Sequence, residues 1–256
     1  MQLHYKSFGQ GTPVIILHGL FGSLDNWQTF SRKLATAFHV IAVDLRNHGK
    51  SPHSQVHSYP EMADDLLEFF ETHNLTRAHM IGHSMGGKAA MTFALKYPER
   101  LIKLVVVDIS PRVYPDRHEH ILRALSSLHP SDLKTREEAD TLLAKYIPQQ
   151  EVRQFLLKNL DRMPEGGFRW KFNLHALLAN YSNINAPVRA DVPVDVDTLV
   201  IRGGRSDYVD EARDLPLFEQ LFKRVQIITI PEAGHWVHAE APEKLLLAVQ
   251  TFLGSS

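Results

Sequence analysis

Gly82-His83-Ser84-Met85-Gly86 is the stretch whose reading decides the fold. An apolar run, Ala78-His79-Met80-Ile81, leads into it, and Gly87-Lys88-Ala89-Ala90-Met91 follows with helix-forming composition. A strand, a sharp turn and a helix in that order are the context of a G-x-S-x-G nucleophile elbow. The turn is so tight that side chains at the two flanking positions would clash, which demands glycine at both. The serine between them is expected in a strained backbone, its hydroxyl standing free above the edge of a sheet.

Outward from the elbow, short apolar runs alternate with amphipathic stretches. Val14-Ile15-Ile16-Leu17, Val40-Ile41-Ala42-Val43, Leu101 to Val107, Thr198-Leu199-Val200-Ile201 and Val225 to Ile230 read as strands buried on both faces. Leu3 to Phe8 alternates as an edge strand does. Helices are expected after a cap at Asp25 or Asn26, carrying Trp27, Phe30, Leu34 and Phe38; from Pro60 to His73; after the elbow to Tyr97; and from Leu245 to Phe252. The pattern predicts an α/β fold with a mostly parallel central sheet and helices on both faces. It is interrupted once, between Ser110 and Asp195, by a polar segment with four helical stretches and no buried strand run. Residues 111–194 are therefore expected to be a helical lid, inserted after the sixth strand of a core made of residues 1–110 and 195–256. Such insertions cover sites at the carboxyl ends of strands.

Composition narrows the function. A 256-residue chain with 44% hydrophobic and 22% charged residues is an ordinary globular protein. A formal net charge of −1 gives no field that would draw it to nucleic acid or an anionic membrane. Cysteine is absent, which removes thiol nucleophiles, disulfides and cysteine-based metal sites. No apolar run approaches the ~20 residues of a membrane span. Met1 to Lys6 lacks an apolar signal region. These features read as cytoplasmic. Oligomeric state is left open.

A serine hydroxyl is a weak nucleophile at neutral pH, so it needs a base, and the base needs an orienting acid. Among fifteen histidines, position selects His235, in Ala233-Gly234-His235-Trp236, after the last strand and before the final helix. His238 is expected to flank the site or cap that helix. His118 and His120 read as a solvated helix start, since no third residue completes a metal set. The acid stays open between Asp108, just past the strand ending at Val107, and Asp207, just past the strand ending at Ile201. Asp44 also ends a strand, but is expected to stabilise the turn Arg46 to Ser51. An oxyanion hole requires backbone N–H groups, one from Met85 after the nucleophile and one from the loop His18-Gly19-Leu20-Phe21-Gly22. Leu20 is the expected donor, with Phe21 its neighbour. Phe21, Trp170 and Trp236, with Phe168 and Phe172, are candidate walls of an apolar substrate pocket. No metal or other cofactor is expected.

These residues resemble the α/β-hydrolase superfamily over essentially the whole chain, and more closely the small YbfF-type bacterial esterases. The likeness rests on HGLFGSLDNW (18–27), DLRNHGKSP (44–52), GHSMGGK (82–88), VVDISP (106–111) and AGHWVHAE (233–240). The resemblance implies an α/β-hydrolase fold. It also implies hydrolysis of a small carboxylic ester or an acyl thioester such as an acyl-CoA, through an acyl-enzyme on a Ser-His-Asp triad, with Asp108 as the acid. A C–C bond hydrolase or lyase on the same triad, or a ligand-binding relative without catalysis, are the other readings. Serine at the elbow argues against dehalogenase or epoxide hydrolase chemistry, which uses aspartate there.

Overall fold

The computed structural model describes residues 1–254. Seven strands form one sheet: β1 (Tyr5–Phe8), β2 (Pro13–Leu17), β3 (His39–Val43), β4 (Ala78–His83), β5 (Leu101–Val107), β8 (Val194–Gly203) and β9 (Phe222–Ile230). Their order across the sheet is β1-β3-β2-β4-β5-β8-β9. Only β1 runs antiparallel, pairing Tyr5 with Val43 at the edge. All the other pairs are parallel, for example Ile15 beside Met80 and Val105 beside Leu199.

The apolar runs are continuous because each residue has a different face to bury. Ile15, Leu17, Met80, Leu104 and Val106 join one core with helices Tyr59–Thr72 and Met85–Lys96. Val14, Ile16, Ile81, Val105 and Val107 join the other with helices Gln28–Leu34 and Pro242–Gly254. Alternation along a pleated strand thus feeds two helical layers, and neither face is left for water.

Three details differ from the sequence reading. The 24–38 segment is not one helix: a 3₁₀ turn, Leu24–Trp27, precedes the Gln28–Leu34 helix, and Phe38 lies beyond it. Asn26 serves the turn by accepting from the Ser23 N–H at 2.8 Å, while Asp25 instead pairs with Lys6. Residues 111–194 follow the fifth strand, not the sixth, because the sheet has seven strands among the described residues. That segment also contains an antiparallel hairpin, β6 (Leu160–Arg162) with β7 (Phe168–Trp170), that no apolar run announced. Three-residue strands are too short to show a period. The segment also carries helices Glu119–Ser126, Arg136–Leu143, Gln150–Leu157, Leu174–Ala179 and Tyr181–Asn185, joined by irregular stretches.

Candidate active site

Ser84 sits between β4 and its helix with φ 52° and ψ −121°, a left-handed conformation that a residue with a side chain adopts only under constraint. The flanking glycines are sterically required. A Cβ on Gly82 would lie 2.3 Å from the Gly86 carbonyl oxygen, and one on Gly86 would lie 2.5 Å from the His18 carbonyl oxygen. Backbone closes on backbone here, so neither neighbour can yield.

His235 reaches the serine from the loop after β9. Its Nε2 is 3.1 Å from Ser84 Oγ, and its Nδ1–H donates to Asp108 Oδ2 at 2.8 Å. Asp108 is fully buried at the end of β5 with φ 48°. Its Oδ1 accepts from the Gly203 N–H at 2.9 Å, and its Oδ2 also accepts from the Ser206 hydroxyl. Asp207 does not join them. Its carboxylate is exposed and paired with Arg117. That pairing holds its pKa below the ordinary aspartate range. The loop after β8 therefore brings Ser206 to the site, while its aspartate turns outward.

Two further contacts fix the imidazole. The His83 Nε2–H donates to the His235 carbonyl oxygen at 2.9 Å. The Tyr208 ring stacks on the His235 ring at 3.8 Å. Neither His83 nor Tyr208 stands out in the sequence as a residue of the site. The tyrosine's place beside Asp207 was its one sequence signal.

The loop after β2 lies against Ser84. A Cβ on Gly19 would be 3.3 Å from Ser84 Cβ. The N–H of Leu20 and that of Met85 have no acceptor among the described residues, whereas the Phe21 N–H donates to His48 Nε2 at 3.2 Å. Phe21 is thus not available as an alternative donor. The loop is braced by two buried histidines whose tautomers follow from their partners. His18 Nδ1–H donates to the Gly19 carbonyl, and its Nε2 accepts from the Leu45 N–H. His48 Nδ1–H donates to the Arg46 carbonyl. Burial, above all, keeps both pKa values below the ordinary histidine range. Asp44 holds the turn beyond: it accepts from the Leu24 and Lys50 N–H groups, and its carbonyl accepts from Ser51 Oγ.

An apolar cavity of about 50 Å³ stands over Ser84 and His235, walled by Phe21, Trp27, Ile121, Phe155, Leu156 and Trp236. Trp170 is not among its walls. It stacks on Phe172 at 5.0 Å, which in turn packs on Phe21 at 5.3 Å, so it stands two side chains away. His118, expected to be solvated, instead lines this cavity, with Nδ1 3.0 Å from the Tyr181 hydroxyl. Burial, and then the neighbouring His235, push its pKa down to about 4. His120 is exposed as expected. His238 flanks the site, stacked on Trp27 at 4.4 Å. No group of three His, Asp or Glu residues that could hold a metal ion occurs among the described residues. No helix among them is long and apolar enough to cross a membrane.

A parallel sheet with a strained serine between strand and helix, and a histidine from the loop after the last strand, defines an α/β hydrolase. The chain belongs to that family: the family model described as the alpha/beta hydrolase fold matches residues 12–145. Within the family, the chain is 39% identical over 244 residues to Esterase YbfF of Escherichia coli (strain K12), covering 94% of this chain and 93% of that protein. It is 38% identical over 253 residues to the sn-1-specific diacylglycerol lipase ABHD11 of Danio rerio, covering 96% of this chain and 79% of that one. A solved structure described as a marine microorganism esterase shares 42% identity at a TM-score of 0.95, covering 98% of this chain and 99% of that one.

Proposed function

We propose that this protein is a serine carboxylesterase acting on small-molecule esters, with acyl thioesters as a second substrate class. Ser84 is the nucleophile, His235 the general base and Asp108 the orienting acid. The observation that carries the reading is the continuous hydrogen-bonded series Asp108 Oδ2, His235 Nδ1 and Nε2, Ser84 Oγ. Esterases and a lipase among the relatives support ester chemistry over a C–C lyase or a non-catalytic relative.

In the first half-reaction, Ser84 Oγ bonds to the acyl carbon as its proton passes to His235 Nε2. The carbonyl π pair moves onto oxygen, which the Leu20 and Met85 N–H groups stabilise. The imidazolium, held by the Asp108 carboxylate, returns the proton to the departing alkoxide or thiolate as the acyl–heteroatom bond breaks. In the second, water gives its proton to His235 and its oxygen to the acyl carbon. The acid leaves, and the proton returns to Ser84. Nucleophile, base and acid are all side chains, so exhaustive dialysis against EDTA is expected to leave turnover unchanged.

Residues 111–194 act in this reading as a lid over a core of 1–110 and 195–256. The support is that Phe155 and Leu156 from that segment wall the same cavity as Ser84 and Trp27. The test is intact-mass analysis after a fluorophosphonate. One adduct is expected on the wild-type protein and none on Ser84→Ala; an adduct that survives the substitution refutes the assignment.

A further inference from the structure

The peptide that carries the Leu20 N–H is aimed by its own carbonyl. A trans peptide holds N–H and C=O antiparallel, so whatever grips the Gly19 carbonyl sets the direction of the Leu20 N–H. Two donors grip it, His18 Nδ1–H at 2.8 Å and the Gly22 N–H at 3.0 Å. The second closes a four-residue turn, Gly19 to Gly22, whose third residue is Phe21 at φ 59°. A left-handed residue at that place in a turn favours glycine. Phenylalanine stays there only where its surroundings over-determine it. Here they hold both of its polar groups. The Phe21 N–H donates to His48 Nε2, and the Phe21 carbonyl accepts from Asn159 Nδ2–H at 2.7 Å.

Asn159 belongs to the 111–194 segment. It lies buried between the Gln150–Leu157 helix and β6. Its own backbone is fixed: the N–H donates to the Leu156 carbonyl at 2.9 Å, and the carbonyl accepts from the Lys171 N–H at 2.8 Å. The side-chain amide heads a series that crosses two peptides. Asn159 Nδ2–H donates to the Phe21 carbonyl, the Gly22 N–H donates to the Gly19 carbonyl, and the Leu20 N–H, with no acceptor among the described residues, ends the series. Every dipole along it points the same way, positive end toward the Leu20 N–H. Hydrogen bonds aligned in this manner polarise one another. We infer that Asn159 is a positioning residue of the reaction: through the Phe21–Gly22 and Gly19–Leu20 peptides it aims and polarises the Leu20 N–H for the oxyanion. The inserted segment is then part of the catalytic apparatus as well as a cover. The inference rests on the esterase reading above, which makes Leu20 an oxyanion donor.

Loss of the Asn159 donor frees the Phe21–Gly22 peptide to rotate and relieve the strained φ at Phe21. Rotation withdraws the Gly22 N–H from the Gly19 carbonyl and leaves His18 alone to aim the next peptide. The Phe21 ring stays seated, because it packs on Phe172 at 5.3 Å, so the cavity keeps that wall. The cost therefore falls on the step that builds negative charge, and not on binding of the ground state. Removing one oxyanion donor outright costs about 10²–10³ in kcat. A donor that is kept but misaimed should cost part of that, about 10- to 100-fold.

The test compares Asn159→Leu, branched at the same carbon but without the donor, and Asn159→Ala with the wild-type protein, each checked by circular dichroism. Asn180→Ala is the control. It removes another hydrogen bond between the segment and the core, from Asn180 Nδ2 to the Gln55 carbonyl at 2.8 Å, outside the series. With p-nitrophenyl acetate, both Asn159 variants should lose about 10- to 100-fold in kcat with KM within about threefold, and Asn180→Ala should stay within about twofold of wild type. An alkyl trifluoromethyl ketone, whose carbonyl Ser84 converts to a tetrahedral oxyanion, should bind the Asn159 variants more weakly by about the factor lost in kcat/KM. The methyl ketone of the same chain, bound as a trigonal carbonyl, should bind all of them alike. An unchanged kcat, a loss carried by KM, equal weakening of the two ketones, or an equal loss in Asn180→Ala overturns the inference and leaves the esterase reading standing. So does a failure of both Asn159 variants to fold, which assigns the residue to folding alone. Absence of a fluorophosphonate adduct on Ser84 of the wild-type protein refutes the esterase reading itself, and the inference with it.

Discussion

Asp108 takes three donors on two oxygens: the Gly203 N–H, the Ser206 hydroxyl and the His235 Nδ1–H. An amide in its place would still accept from the histidine but could present an N–H to it instead, favouring the wrong tautomer. In the serine-protease template that change costs about 10⁴ in kcat. Asp108→Asn is therefore expected to lose several orders of magnitude in kcat with an unchanged circular dichroism spectrum. Asp207→Asn removes one exposed ion pair with Arg117, which is worth little at a surface. It should cost at most about tenfold. If the large loss follows Asp207 instead, the acid is misassigned. Both aspartates follow strands at the sheet's carboxyl edge, and sequence position alone could not separate them. What separates them is side-chain direction, set by a left-handed backbone at Asp108 that no pattern encodes.

Elements that announce themselves by period were readable before the structure. The two-faced strands, the 59–72 helix and the elbow follow from apolar runs and paired glycines, because burial on both faces leaves no room for polar alternation. The approach of His235 to Ser84 follows from their places just beyond the ends of β9 and β4. The unreadable parts are those where only tertiary contact decides. The β6–β7 hairpin is too short for a period, His118 is polar yet enclosed, and Trp170 is aromatic yet packs on Phe172 rather than on the cavity. Two expectations belong to this scale. Gly86→Ala would drive a methyl to 2.5 Å from the His18 carbonyl, so the loop after β2 must retreat. Activity should be lost, with about 1–3 kcal/mol of stability in urea unfolding. Trp170→Ala should change kcat/KM by the same factor across an ester series, since the ring does not reach the substrate. An effect that grows or shrinks with chain length would place Trp170 at the pocket after all.

Several histidines of this molecule are neutral because they are buried. Burial, first of all, holds His57 and His238 at about 3 and His118 at about 4. In the unfolded chain each titrates at about 6.5. Between those values the unfolded state binds more protons than the folded one, so stability rises with pH and is lost as pH falls below about 6.5. At pH 5 the loss is about 2 kcal/mol for each of the three. Melting temperature measured by calorimetry should be level above pH 7 and fall steeply between pH 6.5 and 4.5. A level curve across that window would mean that these side chains ionise in place.

The hydrogen-bonded seam between β5 and β8 brings together two stretches of chain separated by the whole 111–194 segment, with Val105 beside Leu199. Ser84 and Asp108 lie before that segment and His235 after it. A cut at the exposed turn around Glu165 and Gly166 therefore places Ser84 and Asp108 on one polypeptide and His235 on the other. Each piece would present one edge of the same seam to the other. Co-expressed, the two should reconstitute ester turnover that neither has alone, and the hydrolysis rate then becomes a meter of strand association. By its placement between β5 and β8, the 111–194 segment is the natural point at which to divide the chain in two.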